Sequence, residues 1–385
     1  MLLKALSTTG CFVALLGCAA APVAPPPAQL PWQDQAFDYE AALVPVSKQD
    51  LFRLDAKLQS ALHDPVIQRS SAQTRFDRLV ELLFGPKAKY FPYAAGHSTI
   101  AAETWRLKRG DCLSLTVLAY AMARDLRLSA KMQEVRVPVV FDRRGRVDYL
   151  NRHVNLIMQE EGSLHLGYGS MRSGDVIVDF EPQVGARRRG SALSENGIVA
   201  RFYNNVAAEY LAQGNLTLAY AHFKAAILAD PRYSPSYSNL AQLYIRKGFL
   251  GSAEQLLRHA IALNDDADIA MHSLHQLLVS QGRETEALKY AEMLQARQDR
   301  DPYYWLGLGL DYLRRENYQE AIDVLEHAQE LTTGFEEVHR YLAIAYWRTG
   351  KQAQAKKQLS VLASLRTEGT GLAALSKKIN RAPRE

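Results

Sequence analysis

The sequence predicts an α+β domain followed by an all-α repeat solenoid. Three observations carry that prediction. Helical apolar patterns in the first half give way to alternating, strand-like runs, an order typical of α+β folds. One segment, Leu113 to Leu126, is apolar nearly all round, the mark of a helix buried in a core. From residue 200 onward, glycine, alanine and tyrosine positions recur with a fixed period. A length of 385 residues suits two or three domains, and 23% charged residues suit a globular chain. A net charge of +5 is too weak to argue for nucleic acid. The chain has no zinc-like pairing of cysteines and no phosphate-cradling glycine loop, so no metal or cofactor is implied.

The first residues read as an address. Lys4 supplies a positive charge and Cys11 to Gly17 a short apolar core, giving a signal peptide over residues 1–17. Leu15-Leu16-Gly17-Cys18 resembles a bacterial lipobox, with cleavage before Cys18 and lipid on its sulfur. An ordinary secretory signal with a chance cysteine is the alternative. The proline-rich run Ala19 to Pro27 favours the lipobox, because a membrane-anchored domain uses such a tether, here expected over residues 18–47. Ala19 resembles the sorting pattern for the outer membrane of a Gram-negative cell, on its periplasmic side. Cys11 is then discarded and Cys18 acylated, so Cys112 has no partner for an internal disulfide in an oxidising compartment.

Residues 48–190 form the α+β domain. Leu51, Leu54, Leu58 and Leu62 recur at helical spacing, and so do Phe76, Leu79, Leu82 and Leu83. Gly85-Pro86 ends the second pattern. Thr99 to Lys108 reads as a short helix leading into Arg109-Gly110-Asp111-Cys112. Gly110 allows a tight turn and Asp111 is a good N-cap, so Cys112 falls on the first turn of the core helix. The unpaired N–H groups and the macrodipole there favour a thiolate, while the charge of Asp111 works against it. A buried structural cysteine is the bland alternative.

Val135, Val137 and Val139 then alternate as a strand, Asp142 to Asp148 forms a charged turn, and His153 to Met158 and Asp175 to Phe180 are further strands. His153 shares a strand face with Asn155 and Ile157, and Asp179 shares one with Ile177. A carboxylate in so apolar a strand is costly unless something hydrogen-bonds it, and an imidazole on a neighbouring strand is a natural partner. Taken singly, His153 reads as a satisfied core histidine and Asp179 as the end of a strand. Taken in order, Cys112, His153 and Asp179 supply a nucleophile, a base and an orienting acid.

Three blocks carry a family resemblance: Arg109-Gly110-Asp111-Cys112-Leu113-Ser114, Asn151-Arg152-His153-Val154-Asn155 and Val178-Asp179-Phe180-Glu181-Pro182. Together they resemble the bacterial transglutaminase-like superfamily over roughly residues 48 to 185. The resemblance implies a papain-like fold, with a cysteine at a core helix start packed on an antiparallel sheet. It also implies Cys112 as nucleophile, His153 as base and Asp179 as orienting carboxylate. The chain departs from the family at Leu126-Arg127-Leu128, where many members carry a Gly-Ile-Pro-like turn. The backbone N–H of Cys112 and a side chain from Glu103 to Trp105 are candidates for the oxyanion donor.

The second half is a repeat array. Gly214, Gly248, Gly282 and Gly350 are spaced by 34, 34 and twice 34 residues, and the missing member falls on Glu316. Ala219, Ala253, Ala287, Ala321 and Ala355 follow each by five residues, and Tyr210, Tyr244, Leu278, Tyr312 and Tyr346 precede each at a constant offset. This pattern resembles the tetratricopeptide repeat, with units over 200–233, 234–267, 268–301, 302–335 and 336–369 and a closing helix over 370–385. Such solenoids curve into a groove that binds extended peptides or helices. Arg246, Arg314 and Arg348 share one repeat position, either lining that groove or lying on a solvated face.

Two functional classes follow. In one, a cell-envelope lipoprotein uses Cys112, His153 and Asp179 on peptide or carboxamide bonds, by hydrolysis or acyl transfer, while the repeats bind a protein partner or substrate. In the other, the protein is a non-catalytic adaptor whose repeats assemble envelope proteins at the membrane.

Overall fold

The computed structural model describes residues 29–84, 91, 94, 97–135, 141–144, 147–150, 153–158, 176–180, 191–263, 267–332 and 335–364. The signal peptide, Cys18 with the proline run, Val137, Val139 and the helix expected over 370–385 lie outside the described residues.

Four helices open the N-terminal half: α1 (Lys48–Phe52), α2 (Ala56–Leu62), α3 (Pro65–Arg69) and α4 (Ala72–Phe84). The leucine spacing predicts a single helix where α1 and α2 stand. Asp55 divides them, because its side chain accepts from the backbone N–H groups of Lys57 and Leu58 and starts a new helix. Asp64 does the same for α3, with Pro65 in the first turn. Next come α5 (Ala101–Leu107) and α6 (Cys112–Asp125), then β1 (Ala130–Val135), β2 (Phe141–Arg144), β3 (Val147–Leu150), β4 (His153–Met158), β5 (Val176–Val178) and β6 (Ser191–Leu193). The main sheet is antiparallel in the order β5-β4-β1-β6. β2 and β3 pair by themselves, so most of the stretch expected as a charged turn is the two arms of a hairpin.

Leu113, Leu115, Val117, Leu118, Ala119, Ala121 and Met122 are all buried, as the pattern of α6 requires. They pack with Met132, Val154, Leu156, Met158, Val176 and Val178 from one face of the sheet. Gly110 has no left-handed backbone. It is needed for a close approach instead, since a Cβ there would lie 2.9 Å from the Cβ of Ser114.

Ten further helices follow: α7 (Glu195–Ala212), α8 (Leu216–Ala229), α9 (Ser234–Lys247), α10 (Leu250–Ala262), α11 (Ala267–Ser280), α12 (Glu284–Gln298), α13 (Pro302–Arg314), α14 (Tyr318–Leu331), α15 (Glu336–Arg348) and α16 (Gln352–Ser364). They form five antiparallel pairs in the expected frame. Ala219, Ala253, Ala287, Ala321 and Ala355 are all buried where the paired helices cross. The recurrent glycines end each first helix with φ between +72° and +82°, and Glu316 takes the same conformation at +60°. The apolar core is divided, one part running through the first three pairs and another through the last two.

The array begins earlier than residue 200 and is fused to the sheet. β6 pairs with β1 and leads into α7, whose Ile198, Val199, Phe202 and Tyr203 belong to the core of the N-terminal half. Arg201 on α7 holds Glu134 on β1 at 2.7 and 3.1 Å.

The tether expected over 18–47 is packed from residue 29 on. Phe37 is buried and stacks on Tyr220, with centroids 4.5 Å apart, beside Tyr244 and Phe249. Asp34 accepts from Tyr220 at 2.6 Å and from Lys224 at 2.7 and 2.8 Å. Tyr244 donates to the carbonyl of Pro31 at 2.9 Å. Proline content suggested an extended chain, but the aromatic and acidic residues after it find partners on α8 and α9.

Two outcomes are expected. Glu316→Gly removes a left-handed glutamate and loses only an exposed contact with Arg348 at 3.8 Å. It is expected to stabilise the chain by about 0.5–1 kcal/mol in urea unfolding. At Asp34, burial pushes the carboxyl up, but the Lys224 and Tyr220 hydrogen bonds outweigh it and hold it below the usual carboxylate range. A carboxyl depressed by folding stabilises above its unfolded pKa and stops doing so as pH falls through its folded value. The melting temperature of Asp34→Asn is therefore expected to lie below wild type near about pH 7 and to converge with it below about pH 3.

Candidate active site

β4 begins on His153, and its register carries the site. His153 faces Val135, Asn155 faces Gln133 and Leu156 faces Val178 across the ladders. Alternation puts Gln133, His153, Asn155 and Asp179 on one side of the sheet, opposite the apolar face that joins α6 in the core. His153 and Asn155 are 3% exposed and Gln133 is 1% exposed, so these polar groups must satisfy one another.

They do so in series. The amide of Gln133 donates to Asn155 Oδ1 at 2.7 Å, and the amide of Asn155 donates to Asp179 Oδ2 at 2.9 Å. His153 Nε2 lies 2.8 Å from each oxygen of Asp179. A carboxylate can only accept, so Nε2 carries the hydrogen, and a neutral ring keeps its lone pair on Nδ1. The pairing of His153 with Asp179 inferred from sequence is thus present. Gln133 was not foreseen. It is one of three polar residues in a mixed strand, with Lys131 and Glu134, and only the register brings it to Asn155.

Cys112 is half-buried at the first position of α6 and carries a thiol. Asp111 is the N-cap, accepting from the backbone N–H of Ser114 at 2.7 Å. Thr116, one turn along the helix from Cys112, donates to the carbonyl of Val154 at 3.2 Å, and Val154 adjoins His153 in β4. The start of α6 is therefore tied to the start of β4. Among the oxyanion candidates, the Thr104 hydroxyl is occupied with the Thr99 hydroxyl and the Ile100 carbonyl, and the Trp105 ring packs by Phe91 under the Lys108 ammonium. That ammonium is pushed down to about 8 by burial. Among the described residues, no group of three or more His, Cys, Asp or Glu side chains is arranged to hold a metal ion, and no helix is long and apolar enough to cross a membrane.

The arginines of the repeat stripe each contact their own chain, and Arg314 and Arg348 are exposed. Arg246 donates to the carbonyl of Leu211 at 3.1 Å, Arg314 pairs with Asp311, and Arg348 lies over the ring of Tyr318.

The tetratricopeptide repeat family model matches residues 210–278, which span the end of α7 through most of α11. The helix pairs from α7 to α16 form a solenoid like that of tetratricopeptide repeats. Human cilia- and flagella-associated protein 70 is 25% identical over 183 residues, 47% of this chain and only 16% of that protein, so the chain spans a small part of that relative. Two solved structures are similar to parts of the chain. YrrB, described as a repeat protein with an unusual peptide-binding site, is 18% identical over 46% of this chain and 92% of its own, with a TM-score of 0.25. The Pseudomonas aeruginosa protein PilF is 17% identical over 48% and 85%, with a TM-score of 0.26.

Asn155→Ala takes a donor from Asp179 and leaves the Gln133 amide facing a methyl group. It is expected to destabilise the fold by about 1–3 kcal/mol in urea unfolding, the cost of stranding buried polar groups.

Proposed function

We propose that the N-terminal half is a transglutaminase-like thiol site of papain-like fold, acting on peptide or carboxamide bonds. The tetratricopeptide repeats bind the protein or peptide that the site works on. The chain is held by lipid on Cys18 at the periplasmic side of the outer membrane of a Gram-negative cell. The observation that carries the reading is the bond from His153 Nε2 to Asp179, which leaves Nδ1 as a base. The Thr116–Val154 bond supports bringing Cys112 to that ring.

In this mechanism His153 Nδ1 takes the thiol proton as Cys112 sulfur attacks the carbonyl carbon. The carbonyl π pair moves to oxygen, where the backbone N–H of Cys112 at the helix start stabilises the charge. When the carbonyl reforms, the C–N bond breaks and the imidazolium protonates the departing amine. The resulting thioester passes to water in an amidase or protease, or to a second amine in a transglutaminase. Asp179 holds the imidazole's orientation and balances its charge.

A second reading has support of its own. The family match lies wholly within the repeats, which suits an adaptor whose repeats alone do the work. Alkylation separates the two. A catalytic thiolate is expected to react with iodoacetamide well below about pH 8 and to lose that reactivity in His153→Ala. A Cys112 inert in both proteins would leave only the adaptor.

A further inference from the structure

We propose that Asp111 is a positioning residue for the Cys112 thiol and that the first tetratricopeptide repeat holds it in place through Asn205 and Ser98. The inference rests on the thiol site proposed above and names a part of the chain that controls it.

Asp111 is 8% exposed and adjoins Cys112 at the start of α6. Its carboxylate accepts from Ser98 Oγ at 2.5 Å, Ser114 Oγ at 2.6 Å and the Ser114 backbone N–H at 2.7 Å. Each hydroxyl has one hydrogen to give, and both are given to Asp111. Ser114 Oγ in turn accepts from the Thr99 N–H at 2.8 Å, and Ser98 Oγ accepts from the Asn205 amide at 3.0 Å. Asn205 stands on α7, the first helix of the repeats. One turn along the same helix, Glu209 accepts from the Ser98 N–H at 3.2 Å and pairs with His97 at 2.9 Å. The loop at 97–99 is thus gripped twice by α7 and passes that grip to the cap of the thiol helix.

The direction of the bonds matters. They run from Asn205 to Ser98 to Asp111, the arrangement that suits an ionised cap. The ionisable groups around this point are Asp111, His97, Glu209 and Cys112 itself. Asp111 is the carboxyl beside the sulfur; burial pushes it up and the Ser114 and Ser98 hydrogen bonds work against that, so its place and its donors set the field that a thiolate meets. A partner that puts an acceptor against Ser98 in place of Asn205 therefore changes the reactivity of Cys112 without touching it.

The test uses the full chain and the rate of Cys112 alkylation by iodoacetamide as a function of pH, with melting temperature followed alongside. Asn205→Asp keeps the shape but can only accept, so it draws the Ser98 hydrogen away from Asp111. It is expected to raise the midpoint of the profile and to slow alkylation near about pH 7 by about threefold or more. Asn205→Ala leaves Ser98 free to donate to Asp111 and is expected to stay close to wild type. Ser98→Ala removes the relay hydroxyl and is expected to shift the profile even if Asn205→Asp folds poorly. Profiles for Asn205→Asp or Ser98→Ala that superimpose on wild type overturn the proposal, as do equal shifts for Asn205→Asp and Asn205→Ala. An Asn205→Asp shift that persists while His153→Ala leaves alkylation unchanged sinks the proposed reaction and spares the positioning role.

Discussion

A carboxylate withdrawn from water has to be surrounded by donors, and this chain meets that demand at both Asp111 and Asp179. Asp111 takes its donors from the loop before α5, from the first turn of α6 and, one step back, from α7. Asp179 takes its donors from β4 and, one step back, from β1. Each acid therefore fixes elements that lie far apart in the chain. A shift of any one would leave a buried charge short of donors, which costs more than the loss of an ordinary surface contact. The apolar packing of α6 on the sheet sets the overall arrangement. The two acids set its register.

The same demand explains why the repeats are not a separate module. α7 contributes apolar side chains to the core around α6, holds Glu134 on β1 through Arg201 and supplies Asn205 to the loop that caps α6. Residues 29–43 bind from the other direction, placing Phe37 and Asp34 on α8 and α9. A chain segment leading from the expected lipid anchor is thereby attached first to the repeats. The first repeat stands between that segment and the thiol helix, in contact with both.

How much of this was legible in the sequence depended on whether the signal was local. The repeat period was legible from Gly214 onward, because a 34-residue spacing sets small residues and left-handed helix ends at fixed intervals, but the earlier start of α7 at Glu195 was not. Even Glu316, the position that breaks the glycine pattern, keeps the backbone the pattern demands. The start of α6 was legible from Asp111 and the apolar run after it, and the His153–Asp179 pairing from strand alternation. The split between α1 and α2 was missed because a regular leucine spacing hides a cap such as Asp55. The hairpin of β2 and β3 was missed because charged strands resemble turns. The packing of residues 29–43 was missed because composition reports extension and says nothing of what a distant helix offers. Gln133, Ser98 and Asn205 have no local signature at all. Their partners are 22, 13 and 107 residues away, and only the folded register brings them together.

The filled coordination of both acids also bears on the proposed thiol reaction. Hydrogen bonds already received by a carboxylate oxygen occupy lone pairs that a thiol proton would need, although at Asp111 burial pushes the carboxyl up against them. Asp111 adjoins Cys112 yet is closed by Ser98 and Ser114, and Asp179 is closed by His153 and Asn155. Asp179 occupies Nε2 of His153, so in the proposed reaction Nδ1 is the ring nitrogen that would take the proton. In the proposed reaction the direction of these hydrogen bonds gives His153 the part of base and Asp179 that of orienter, so an attack by Cys112 would route its proton through His153.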